Sequence, residues 1–103
     1  MSIWKVAPIT QEPDIELTQW QIMELPNGDR HFVGYNARGW EGRVSSKVVT
    51  FDNDSVIGIT ESNRNYKLAG KPGFNRDASY VWNQWRRING VEEFEDISEQ
   101  FKK

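Results

Sequence analysis

The chain has 103 residues, a formal net charge of −2, no cysteine, and a 37% apolar, 13% aromatic composition that includes five tryptophans. This length fits one domain with one modest core. The lack of cysteine excludes a disulfide framework, a thiolate nucleophile and a cysteine-type zinc site.

Charged residues make up 27% of the chain, close to the globular average, which argues against wholesale disorder. The net negative charge gives little bulk attraction to nucleic acid, although residues 31–76 carry seven basic and four acidic side chains. No apolar run approaches the ~18 residues of a membrane span. The start, Met1-Ser2-Ile3-Trp4-Lys5, lacks a basic region followed by a long apolar stretch, so a cytoplasmic protein without membrane contact is expected.

Residues 1–14 contain Pro8 and Pro13 and show no clear period; they read as an extended arm, with Trp4 pinning it to the body. A first strand is expected over Ile15 to Leu25. Its apolar phase changes between Ile15/Leu17 and Trp20/Ile22, which predicts a bulge near Thr18-Gln19. Pro26-Asn27-Gly28-Asp29 then predicts a tight type I′ hairpin, because Asn-Gly tolerates positive φ. His31 to Tyr35 form the returning strand, and Asn36 to Gly42 a loop that presents Trp40. Three more strands are expected: Arg43 to Phe51, Val56 to Thr60, and Asn65 to Leu68. The last two keep the period of two of a sheet buried on one face. Short connections favour sequential antiparallel pairing.

After Gly70-Lys71-Pro72-Gly73 the period changes. Asp77 to Gly90 reads as a helix capped by Asp77, with Ala78, Val81, Trp82, Trp85, Ile88 and Asn89 on its core face and Gly90 as a left-handed stop. Residues 91–103 form an acidic tail. Asp96 and Glu99 at capping-box spacing predict a short marginal helix, with Phe94, Ile97 and Phe101 on one face. The expected fold is therefore α+β: a single domain of about five antiparallel strands in a meander, 15–68, curled or forming a small open barrel, with the 77–90 helix packed on it.

Chemistry-bearing motifs are sparse. His31 is the only histidine, and a lone strand histidine beside Arg30 reads as structural or merely solvated. Ser45-Ser46 lies within a strand, without the sharp turn and neighbouring base that a nucleophile needs. Asp52-Asn53-Asp54-Ser55 opens like a calcium loop, but Ile57 and Asn63 occupy the positions that require Gly and Glu. Gly70-Lys71-Pro72-Gly73 is not a phosphate loop, since Pro72 removes a donor. The carboxylates Glu92, Glu93, Glu95, Asp96 and Glu99 read as a solvated face that could attract a basic partner. No catalytic residue, metal site or cofactor is expected.

Aromatic and basic residues interleave. Tyr35, Arg38, Trp40 and Arg43 cluster around one loop; Arg64 is a further candidate, and Tyr80 and Arg87 fall on the outward helix face with Gln84. Such residues anchor protein interfaces, and stacked on bases they also hold single-stranded nucleic acid. The net charge favours a protein partner. The tail phenylalanines or an uncovered edge strand would also allow a homodimer.

At His31-Phe32-Val33-Gly34-Tyr35, Glu41-Gly42-Arg43-Val44-Ser45-Ser46, Phe51-Asp52 and Tyr80-Val81-Trp82, the chain resembles small uncharacterised bacterial proteins associated with phages, plasmids and other mobile elements. The resemblance covers roughly residues 17–90 and carries no site residues. It implies a setting in which small proteins act by binding and blocking a host protein. The expected function is a non-enzymatic interaction module, such as a regulator or inhibitor. The rival is a single-stranded nucleic-acid-binding module that uses the same residues.

Overall fold

The computed structural model describes residues 14–101; the extended arm expected over residues 1–14, with Trp4, lies outside them apart from Asp14. Within these residues the fold is α+β: a mixed, curled, open sheet with one helix on it. The strands are β1 (Asp14–Glu24), β2 (Arg30–Asn36), β3 (Glu41–Val44), β4 (Val48–Asp52), β5 (Ile57–Thr60), β6 (Asn65–Leu68) and β7 (Glu95–Asp96), with helix α1 (Arg76–Asn89) between the last two. The order across the sheet is β3-β2-β1-β6-β5-β4, with β7 also pairing β1.

β1 holds the architecture together. The register slips between Thr18 and Gln21, and Gln19 takes φ 48° there, so the bulge predicted near Thr18-Gln19 is present. It restores the apolar phase: Ile15 and Leu17 before it, and Trp20 and Ile22 after it, all enter one buried cluster. It also splits the strand's partners. Asp14 to Leu17 pair β6, while Thr18 to Glu24 pair β2. The β1–β6 pairing is parallel, which corrects the expectation of an antiparallel-only meander. The sheet curls until its final meander strand returns beside its first, and only a parallel alignment is then available.

The strand expected over Arg43 to Phe51 is broken at Ser45-Ser46-Lys47 into β3 and β4. Both sides of the break remain tied to the sheet. The Ser45 N–H donates to the Phe32 carbonyl at 2.8 Å, and the Glu61 N–H donates to the Lys47 carbonyl at 2.8 Å. The two terminal strands of the sheet are thus joined by a three-residue bend.

The curl encloses one core: Ile15, Leu17, Trp20, Ile22, Phe32, Val56, Tyr66, Leu68 and Ile97, flanked by Val48, Phe51 and Phe101. A second, between sheet and helix, holds Met23, Val33, Ala78 and Trp82 with Leu25, Val44 and Trp85. β2 lies between the cores, which is why His31 to Gly34 are all buried. The Trp20 Nε1–H donates to the Gly70 carbonyl at 3.2 Å. Each buried large side chain contributes about 2–3 kcal/mol.

Local details differ from expectation at several points. In the first hairpin only Gly28 has positive φ, so a two-residue I′ turn does not form. Instead the Leu25 N–H donates to the Asp29 carbonyl and the Gly28 N–H to the Leu25 carbonyl. Thr60 to Arg64 repeat this three-residue connection, with Asn63 at φ 69° in the glycine's place. The helix cap is Asn75, not Asp77: its extended backbone lets its side chain accept from the Ala78 N–H at 2.9 Å, and Asp77 lies in the first turn. Gly90 ends the helix in the left-handed region as expected. Ile88, expected on the core face, is 82% exposed because the helix runs past the apolar surface that Trp82 and Trp85 cover.

Over residues 91–101 the tail forms no α-helix. It makes β7 and a short 3₁₀ turn over Ser98–Gln100. The Ile22 N–H donates to the Ser98 hydroxyl, and the Ile97 N–H to the Ile22 carbonyl, so backbone bonds to β1 win over the marginal helical cap. Ile97 and Phe101 then fill the open end of the curl.

Candidate functional site

β-Alternation divides the predicted aromatic–basic cluster. Tyr35 shares the helix-facing side of β2 with His31 and Val33 and is half-buried. Arg43 lies on the opposite face of the sheet. Its Nε–H donates to the Tyr66 hydroxyl at 2.9 Å and its Nη1–H to Glu41 at 2.9 Å, with the guanidinium 5.9 Å from the Tyr66 ring centroid. Burial works to lower its pKa, but the bonds to Tyr66 and Glu41 outweigh that, and the pKa is raised. Arg43 is therefore a half-buried brace and not a free contact residue. Arg64 is 7% exposed in the β5–β6 connection, so it is not a surface contact either. Tyr80 and Arg87 do lie outward on the helix, where Gln84 donates to the Tyr80 hydroxyl at 2.9 Å.

Arg38 and Trp40 remain together on the β2–β3 turn. Trp40 is 83% exposed and has φ 56°. Its neighbour Gly39, the residue suited to that backbone, does not take it. The turn is braced from below. Buried Asn36 accepts from the Arg38 N–H at 3.2 Å and reaches Glu41 at 3.5 Å, and Glu41 holds Arg43. A chain of contacts thus runs from the turn to core residue Tyr66.

The turn also abuts the start of the helix. A Cβ on Gly42 would collide with the backbone of Asp77 and Ala78, so β3 touches the first helical turn directly. The segment entering the helix adds two residues that the sequence reading missed, Phe74, 64% exposed, and exposed Arg76. The readable signal was an aromatic residue stranded in a Pro-Gly connection, with no apolar periodicity to bury it. Gln19, at the bulge, accepts from the Asn75 side chain at 2.9 Å and fixes this entry.

His31 is buried. Its Nδ1 lies 2.9 Å from the Ser45 carbonyl and its ring 4.5 Å from that of Trp85, so it contacts a backbone oxygen and an indole. Among the described residues, no three of His, Asp and Glu converge to hold a metal ion, and no helix is long and apolar enough to cross a membrane. A groove of about 620 Å³ lies along β4 and contains neither His31 nor Trp40. Comparison with protein-family models, with curated proteins and with solved structures returned no match to this chain.

Proposed function

We propose that this domain is a non-enzymatic interaction module that captures a partner protein through the Trp40 turn, as a regulator or inhibitor that blocks its target. The observation that carries this reading is the state of Trp40, 83% exposed at φ 56°. Left-handed backbone costs an L-residue about 1–2 kcal/mol, and a solvated indole returns nothing to the free protein. Strain kept without local benefit points to contact. Trp and Arg are preferred anchors of interfaces, and the braced turn lowers the entropy lost on binding. The single-stranded nucleic-acid reading has less support, because two of its arginines, Arg43 and Arg64, are drawn into the protein.

The test is the W40G/R38A double variant. Glycine removes the strain and no buried surface, so the thermal midpoint should not fall. Affinity capture of the partner from the native host should be lost. Undiminished capture by the folded variant would assign binding elsewhere. Single-stranded oligonucleotides at low salt should not bind; binding that declines steeply with salt would favour the nucleic-acid reading.

A further inference from the structure

β4 is a terminal strand of the sheet, pairing only β5 among the described residues. Between two charges its sequence is Val48-Val49-Thr50-Phe51: uncharged, β-branched or aromatic, and free of glycine and proline. Segments of this composition pair readily with extended backbone, and an edge strand offers them unpaired N–H and C=O groups. Open grooves of about 620 and 600 Å³ flank the strand and meet at Thr50 and Phe51. Val49, displaced by a bulge between Val48 and Thr50, is 59% exposed. Among the described residues no proline, strand or helix covers positions 48–51, and Asp29, Arg30, Lys47 and Glu61 line the groove beside them.

We propose that β4 is a self-recognition edge, to which a second copy of this chain adds its own β4 antiparallel, about a two-fold axis near Thr50. Charge selects this occupant and this direction. β4 is preceded by Lys47 and ends at exposed Asp52. In the antiparallel pair, Lys47 of each copy approaches Asp52 of the other. A parallel in-register pair would set lysine against lysine and aspartate against aspartate. Lys47 lies 3.7 Å from Glu61, but that pair is exposed and its hold on the ammonium is weak. The two-fold pairing consumes the β4 edge of each copy, so this contact closes at the dimer and does not grow into a fibre. The bulge shortens the usable ladder, so the dimer is concentration-dependent. This inference does not depend on the Trp40 turn.

Sedimentation of the full chain over a concentration series should show a monomer–dimer equilibrium, shifted to monomer by V49K, which places a charge on the edge. A monomer at every concentration up to about 1 mM, a dimer indifferent to V49K, or growth beyond two copies would overturn the proposal. The chain has no native cysteine, which allows a second measurement that does not need V49K to fold. T50C sits opposite itself across the proposed axis, within disulfide reach, whereas S55C in the following turn does not. Oxidation should cross-link T50C at least about tenfold faster than S55C; equal rates would refute the arrangement.

Discussion

Val56 has φ 58°, yet its side chain is only 8% exposed and belongs to the interior core. A β-branched residue in this backbone is strained. Here burial compensates, because the turn after Asp52 must aim a side chain inward while the Val56 N–H donates to the Asp52 carbonyl at 2.8 Å. V56A removes about 1.6 kcal/mol of methyl burial and keeps the strain. V56G loses more surface but relieves about 1–2 kcal/mol. Urea denaturation should therefore find V56G no less stable than V56A, the reverse of the order in ordinary strands. Trp40 shares the conformation without the burial, so its strain has no such structural return. Neither was legible in the sequence: near Trp40 the obvious candidate for positive φ is Gly39, and nothing local marks Val56. The roles of Arg43 and Arg64 were equally hidden, since Tyr66 meets Arg43 only after the sheet curls.

At the scale of elements, periodicity located the strands and the helix but not their breaks and caps. The bulge in β1 was legible because two apolar residues on either side of it had to share a core. The helix was legible from its spacing and its glycine stop, but its start was not, since Asn75 and Asp77 are both competent caps and only backbone geometry chooses between them. The split of the third strand falls at Ser45-Ser46-Lys47, a polar stretch that a strand with a solvated stretch and a bend would both show. Its first half, β3, meets the helix at Gly42 with no room for a side chain. G42A should cost about 2–3 kcal/mol by overpacking against rigid backbone, measurable as a lowered thermal midpoint. A loss near zero would mean that the helix moves freely on the sheet. Because this contact lies beside the Trp40 turn, the same variant should also weaken partner capture.

The whole molecule depends on its tail. Ile97 is 3% exposed, and Phe101 packs edge-on to Phe51 with ring centroids 5.2 Å apart. I97A should cost about 2–4 kcal/mol, the range for an aliphatic truncation in a core, read by denaturant melts. A loss under about 1 kcal/mol would show the tail to be an appendage. The general class, a curled sheet with a helix on it, followed from short strands and one amphipathic helix. The parallel β1–β6 seam did not, because it joins residues whose proximity is set by the summed curvature of every strand between them.

That seam orders events as the polypeptide leaves the ribosome. Asp14 to Leu17 emerge before their hydrogen-bonding partners in β6, which follow only after the intervening hairpins, and Ile97 arrives later still. Until then the nascent chain displays Ile15, Leu17 and Trp20 without cover, and in that interval a chaperone has its clearest chance to hold it.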